Sequence, residues 1–270
     1  MKIVSGCVAV FDAGIGSYLV VEKLRAAYPY VDFVYLADRA SFPYGLKTEE
    51  ELQCCVYSAL CFLDSLAPQL IVVASNVPSV TLLEQLTPLF NTAIVGVYPP
   101  VQTALNLSNT GHIGILGVKA MAESVAIKEY IEKHSGTDST INSFNASELV
   151  NLVESGAFLQ DKTGTLAAVT HFIENILQQY PAIDTFTLSS THLPWLTSYF
   201  NQAYPHISFV DPADDIIATL PQLEAGKGTL RAFVTTSKNK EFGIEAFKSM
   251  LNILNLELSL EQVTIEQVTV

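Results

Sequence analysis

The chain has 270 residues and a formal net charge of −13 at pH 7, with 49% hydrophobic and 15% charged residues. This length accommodates one large or two modest domains with real cores, and the composition excludes an extensively disordered chain. The negative charge argues against nucleic acid or an anionic membrane as a direct partner, because both attract basic surfaces.

The sequence contains no apolar run of about 18 residues, the minimum for a membrane-spanning helix. Residues 1–10 are too short and too weakly basic for a signal peptide, so we expect a cytoplasmic protein. Its four cysteines form neither a Cys-x-x-Cys pair nor a zinc-binding pattern with histidine. We therefore expect buried thiols in a reducing compartment and no metal site.

Strands and helices alternate in the first part of the chain. We predict strands at residues 4–11, 33–37, 70–74 and 93–97 and helices at 18–27, 48–63 and 78–86. The second helix is marked by a capping box, Thr48-x-x-Glu51.

The same alternation starts again after Pro99-Pro100. We predict strands at residues 113–116, 141–144, 185–188, 207–210 and 231–235, and helices at 121–134, 147–154, 163–180, 194–200, 211–223 and 240–254. The pattern indicates an α/β protein with two similar doubly wound parallel-sheet domains. We place the first domain at residues 1–98 plus 210–270 and the second at 99–209.

Two predicted strands end in small polar residues. The strand at 70–74 is followed by Ser75 and Asn76, and the strand at 185–188 leads to Ser190, Thr191 and His192. Open α/β sheets bind ligands at the carboxyl ends of their strands. The two tips therefore predict two half-sites that face a shared cleft between the domains.

The loop after the first strand contains Gly14 and Gly16. The glycines allow three interpretations: an anion site at a helix N-terminus, a dinucleotide fingerprint, or a tight turn that needs positive φ. The dinucleotide fingerprint requires a third glycine where this chain has Leu19. Asp12 would repel a phosphate but could orient an ammonium group or act as a base, which favours a small-ligand site.

The segment 10–16, Val-Phe-Asp-Ala-Gly-Ile-Gly, resembles the opening of glutamate racemases in the cofactor-independent aspartate/glutamate racemase superfamily. Segments 35–38, 42–45 and 149–154 and both polar tips resemble further motifs of that family. The resemblance implies interconversion of L- and D-glutamate for peptidoglycan precursors, without a cofactor. In the family, two cysteines exchange the Cα proton from opposite faces of the substrate.

The sequence departs from the family at both cysteine positions, which are Ser75 and Ser190 here. A free thiol has a pKa of about 8.5, whereas a hydroxyl resembles water at about 15.7. The difference of about 7 pKa units corresponds to roughly 10 kcal/mol against forming the deprotonated serine that would act as the base. We therefore expect the two-thiol chemistry to be lost.

The resemblance implies that hydroxyls at three further positions hydrogen-bond a carboxylate or ammonium group of the substrate. They are replaced here by Ala13, Val77 and Val118, which should weaken binding of a zwitterion. Other motif residues are retained. The resemblance implies that Asp12 assists the first catalytic position and Glu154 with His192 the second. The candidate catalytic residues are Ser75, Ser190, Asp12, His192 and Glu154, and the candidate substrate-binding residues are Ala13, Pro43, Tyr44, Gly45, Asn76, Val77 and Thr191.

Some of the retained motif residues, which also include Asp38, have structural interpretations as well. His192 could be a satisfied structural histidine, Tyr44 a packing residue and Asp38 a helix or loop cap.

Two functions remain open at this point. The first is a divergent or inactive homologue that binds a small amino acid, a dicarboxylate or a protein partner. Some glutamate racemases bind DNA gyrase, and the family often dimerises, so the resemblance allows a protein partner or a homodimer. The alternative is an active amino-acid racemase or related isomerase that uses Asp12 and His192 on another substrate.

Overall fold

The structure is a computed structural model that describes residues 6–236 and 243–268. Residues 4–5 of the first predicted strand and residues 240–242 of the last predicted helix lie outside the described residues.

The strands form two parallel sheets. The described strands are β1 Val8–Asp12, β2 Phe33–Ala37, β3 Leu70–Val73, β4 Ile94–Gly96, β5 His112–Gly117, β6 Thr140–Asn145, β7 Thr185–Leu188, β8 Ser208–Val210, β9 Leu230–Thr235 and β10 Leu260–Val263. The first sheet has the order β10-β9-β2-β1-β3-β4 and the second has the order β6-β5-β7-β8. We call these sheets with their helices the first and second halves.

Helices cover both faces of these sheets. The described α-helices are α1 Ser17–Ala27, α2 Glu49–Asp64, α3 Asn76–Thr81, α4 Leu83–Leu86, α5 Val101–Leu107, α6 Lys119–Ala122, α7 Val125–His134, α8 Ser147–Glu154, α9 Ala157–Gln160, α10 Lys162–Gln179, α11 Thr197–Ala203, α12 Pro212–Thr219 and α13 Ile244–Ile253. Strands β1, β2 and β3 are buried throughout, as expected for parallel strands covered on both faces.

The two halves repeat one topology. Four strands of the first sheet, in the order β2-β1-β3-β4, correspond to β6-β5-β7-β8 of the second. Ser75 follows β3 by two residues and Ser190 follows β7 by two residues, so the two serines occupy equivalent places. The predicted α/β class with two similar parallel-sheet units is confirmed. Strand β8 of the second sheet ends at Val210, the first residue that the sequence prediction assigns to the returning part of the first domain.

Several predicted helices differ in extent. The predicted helix at 121–134 is divided into α6 and α7, because the Ser124 hydroxyl caps α7 by accepting a hydrogen bond from Ile127 N at 3.1 Å. The predicted helix at 194–200 begins as a 3-10 turn, Leu193–Leu196, before α11. Helix α3 begins before Pro78, which its first turn tolerates because N–H groups there lack intrahelical partners.

Among the strands and α-helices given above, α5, α9 and β10 were not predicted. Strand β10 pairs in parallel with β9 at the edge of the first sheet and is partly exposed, with Glu261 and Gln262 at its centre. An edge strand of this kind carries no continuous apolar run to reveal it. The helix predicted at 211–223 ends at Thr219.

The apolar core runs through both halves. One buried cluster contains Val10 and Tyr35 of the first sheet together with Phe186 and Leu188 of the second. This shared burial fixes the carboxyl ends of β1, β3, β5 and β7 around a common space.

Candidate active site between the two sheets

A cavity of about 420 Å³ lies between the two halves, within the size range of small-molecule pockets. Every residue predicted for the site lies on its wall: Asp12, Ala13, Pro43, Tyr44, Gly45, Ser75, Asn76, Val77, Glu154, Ser190, Thr191 and His192. Further wall residues that the candidate set did not contain are Gly14, Phe42, Leu46, Val118, Lys119, Asn145, Ser147, Val150, Asn151 and Ser189. The cavity occupies the crevice beyond the strand ends where open α/β sheets bind ligands.

The two serines that replace the family cysteines both border this cavity. Ser75 is 8% exposed and precedes α3, and Ser190 is 6% exposed and follows β7. The four cysteines of the chain all lie within the described residues, and none is part of the cavity wall. Burial raises the pKa of the Cys7 thiol to about 11. The wall therefore offers no thiol in place of the two serines.

Asp12 ends β1 and is almost fully buried beside Ser75. Burial raises the pKa of its carboxyl, while the positive field of His192 and a hydrogen bond from Ser75 act in the opposite direction. Thr191 Oγ1 donates to Asp12 Oδ2 at 3.4 Å and thereby links the two halves. Asp12 is thus a carboxyl whose charged form is disfavoured by burial.

Glu154 makes three hydrogen bonds, two of which connect the halves. Its Oε1 accepts from Arg39 Nη1 at 2.7 Å, and its Oε2 lies 2.8 Å from His192 Nε2. The same Oε2 accepts from Ile15 N at 3.2 Å. Burial raises the pKa of Glu154, but the hydrogen bonds and charges of His192 and Arg39 outweigh it and hold the pKa below its ordinary value. Glu154 therefore remains a carboxylate at neutral pH.

Arg39 is the buried cation that the sequence analysis missed. It is 2% exposed, and its Nη1 also donates to Ala13 O at 3.0 Å. Its guanidinium lies 4.3 Å from the centre of the Phe42 ring, a cation–π distance. In the sequence, the position of Arg39 beside Asp38, directly after the apolar strand β2, could have marked it as a candidate site residue. That position alone does not identify Glu154 as the hydrogen-bond partner of Arg39.

His192 is packed against the glycine loop. A Cβ atom on Gly14 would lie 2.5 Å from His192 Cε1, and one on Gly16 would lie 2.6 Å from His192 N. The described glycines with positive φ are Gly6, Gly111, Gly156 and Gly228, so the positive-φ interpretation of this loop is wrong. Both glycines are needed because the second half approaches the loop too closely for a side chain.

Tyr44 lines the cavity, but its hydroxyl is engaged elsewhere. It donates to Asp38 Oδ2 at 3.0 Å, and Thr235 Oγ1 donates to Asp38 Oδ1 at 2.8 Å. Burial raises the pKa of Asp38, opposed by these hydrogen bonds, and burial also raises the pKa of Tyr44 well above its ordinary value. This buried network holds the loop that forms one wall of the site.

Asn76 is fixed by a hydrogen bond from its Nδ2 to Val97 O at 2.9 Å. Its buried Oδ1 accepts no hydrogen bond from any described residue. Over residues 6–236 and 243–268, no cluster of three or more His, Cys, Asp or Glu side chains is arranged to hold a metal ion. None of the helices in these ranges has the length and apolarity needed to cross a bilayer.

Comparison with solved structures supports the two-half fold. The chain is similar to a glutamate racemase of Bacillus anthracis, with a TM-score of 0.80, 23% identity and coverage of 97% of this chain and 98% of the other. It is also similar to Escherichia coli glutamate racemase in complex with L-glutamate and an activator, with a TM-score of 0.77, 24% identity and coverage of 97% and 99%. These likenesses establish the fold.

Sequence comparison establishes the family. The chain is 32% identical over 240 residues to the glutamate racemase of Aquifex aeolicus, covering 87% of this chain and 91% of that protein. It is 30% identical over 234 residues to that of Persephonella marina, covering 84% and 87%. Protein-family models give no match to the chain. On the strength of these relatives, the chain belongs to the glutamate racemase family.

Proposed function

We propose that this chain binds a small amino acid in the cavity between its halves and does not carry out two-thiol racemisation. The observation that carries the proposal is the placement of Ser75 and Ser190 at equivalent strand tips on one cavity wall that lacks cysteine. The cavity supports ligand binding, and the solved glutamate racemases of Francisella tularensis and Escherichia coli hold D-glutamate and L-glutamate, respectively.

The surroundings of Ser75 do not favour a serine base. The Asp12 carboxyl lies beside it: the charged form of this carboxyl would oppose formation of an alkoxide, and the neutral form supplies no positive charge to stabilise one. The pKa difference between a hydroxyl and a thiol, about 7 units or roughly 10 kcal/mol, is larger than ordinary pKa shifts in proteins. Ser75 is suited to hydrogen bonding and unsuited to removing a Cα proton.

The decisive experiment measures solvent deuterium entering the Cα position of glutamate and aspartate. We expect no exchange above the protein-free rate, and exchange at rates typical of enzymes would reject the proposal. The double variant Ser75→Cys/Ser190→Cys is the companion test. We expect little recovery, because Ala13, Val77 and Val118 leave the wall short of hydroxyl donors.

The alternative is an active isomerase that uses Asp12 and His192 as its proton-transfer pair. His192 Nε2 is engaged by Glu154 at 2.8 Å, and Nδ1 lies against the glycine loop, where a Cβ atom on Gly16 would be 2.7 Å away, so both ring nitrogens face protein atoms. This engagement leaves the imidazole poorly placed to take a proton from a ligand. The same exchange measurement with a wider set of amino acids tests this alternative.

A protein partner and a homodimer are further proposals, supported by the family resemblance alone. Light scattering coupled to size-exclusion chromatography measures the mass in solution against the 29.4 kDa of one chain. A mass of one chain at all concentrations would reject the dimer.

A further inference from the structure

One wall of the cavity is apolar and continuous with the protein core. Ala13, Tyr44 and Val77 belong to a single buried apolar cluster, and Phe42 and Val118 pack against that cluster. All five residues line the cavity. A ligand group that lies here meets carbon atoms.

The hydroxyls next to this wall already have partners. Tyr44 donates to Asp38 at 3.0 Å, as described above. Ser147 Oγ donates to Asn145 Oδ1 at 2.7 Å and accepts from Lys119 N at 3.0 Å. A carboxylate placed against the wall would therefore have to displace an existing hydrogen bond to be solvated.

The buried basic side chains beside the cavity are also engaged. Glu154 takes hydrogen bonds from both Arg39 and His192. Lys119 is 69% exposed and lies 4.0 Å from Glu123, so it belongs to the solvated mouth of the cavity. A buried carboxylate is tolerated only when it is paired or fully hydrogen-bonded, and the side chains of the apolar wall offer neither.

Part of the cavity lining is polar. Asp12, Ser75, Ser190 and Thr191 belong to this part and lie at the ends of β1, β3 and β7. A carboxyl and several hydroxyls suit the ammonium and carboxylate groups that all amino acids share. The cavity lining therefore combines polar groups suited to the common groups of an amino acid with an apolar wall suited to an apolar side chain.

We infer that the ligand of this cavity is an amino acid with an apolar side chain, and that Val77 and Val118 select against a second carboxylate. This inference rests on the proposed function, because it takes amino-acid binding in the cavity as given. It concerns the class of side chain and is independent of whether any proton is exchanged.

The test is calorimetric titration of the whole chain with leucine, methionine, aspartate and glutamate, each as both enantiomers. Leucine and aspartate form a matched pair, since an isopropyl group replaces a carboxylate of similar shape. We expect leucine or methionine to bind at least about tenfold more tightly than either dicarboxylic amino acid. Equal or tighter binding of aspartate or glutamate, or no binding of any of the four, would overturn the inference.

A double variant tests whether Val77 and Val118 cause the preference for an apolar side chain. In Val77→Thr/Val118→Thr, two new hydroxyls should change the ratio of the affinities for leucine and glutamate by about tenfold in favour of glutamate. The matched control is Val80→Thr, on the same helix as Val77 but outside the cavity wall, which should leave the ratio unchanged. An unchanged ratio in the folded double variant would remove the role given to Val77 and Val118.

The outcomes separate the inference from the proposed function. Deuterium exchange into Cα would reject the proposed loss of racemisation and leave an apolar preference intact. A preference for glutamate without exchange would reject the inference alone.

Discussion

At the scale of single residues, Gly16 shows how the second half constrains the first. Its backbone faces the backbone of Thr191 and His192, where a Cβ atom would lie 2.6 Å from both Thr191 C and His192 N. Backbone atoms cannot move away as the end of a flexible side chain can. The absence of a side chain at Gly16 therefore allows the two halves to meet at the site.

We predict that Gly16→Ala destabilises the protein by about 1–3 kcal/mol, the usual cost of overpacking a filled interior. Urea denaturation followed by circular dichroism measures the change. Gly136→Ala is the matched control, because a Cβ there would meet nothing closer than Ser139 Oγ at 4.0 Å. A Gly16→Ala variant as stable as the control would contradict the close approach.

At the scale of elements, α2 shows how a capping motif and a hydrophobic repeat in the sequence specify a helix that packs against the core. Its residues Leu52, Val56 and Leu60 recur at a spacing of four and are buried. The predicted capping box is confirmed: Glu51 N donates to Thr48 Oγ1 at 3.2 Å, and Thr48 N donates to Glu51 Oε2 at 3.0 Å. The helix thus begins where its sequence alone specifies.

We predict that Thr48→Ala lowers the free energy of unfolding by about 1 kcal/mol, because the Glu51 N–H loses its acceptor. Thr48→Ser keeps the hydroxyl and should retain most of the stability. Chemical denaturation of both variants beside the unmodified chain is the measurement. Equal losses in the two variants would show that the hydroxyl is not the stabilising group.

At the scale of the whole molecule, Glu154 joins the two halves. It belongs to α8 of the second half and binds Arg39 and Ile15 of the first. Its pKa is held below the ordinary value, so the folded state favours the carboxylate. The stability from this carboxylate is fully present above the unfolded pKa of about 4.3 and is lost as the pH falls through the lower folded value.

We predict that Glu154→Gln destabilises the protein by about 3 kcal/mol at pH 7, because Arg39 and His192 lose a buried charged partner. The deficit should shrink as the pH falls below about 4.3, where the unmodified chain loses the same carboxylate. Thermal unfolding across pH measures both effects.

The control is Glu148→Gln, in the first turn of the same helix, which should change stability by no more than about 0.5 kcal/mol. A Glu154→Gln deficit that stays constant from neutral to acidic pH would mean that the ionised carboxylate is not its source.

Much of the site was accessible from the sequence because its residues stand directly after apolar strands. Asp12, Ser75 and Ser190 each end or follow a predicted strand, and parallel strands bring such positions to one edge of a sheet. Other wall residues were missed: Phe42, which lies in a loop, and Lys119 and Asn151, which lie on α6 and α8. Hydrophobic periodicity marks the face of an element that packs in the core, and it does not mark which other side chains border a cavity.

The sequence by itself determined the alternation of strands and helices and the strand ends where the candidate residues stand, since hydrophobic periodicity and caps act over a few residues. Only the tertiary structure decided that Arg39 meets Glu154, that Gly14 and Gly16 make room for His192, and that Val77 and Val118 join one apolar wall. The physical reason is that these contacts join residues far apart in the chain, and their energies depend on burial that arises only when the two halves meet.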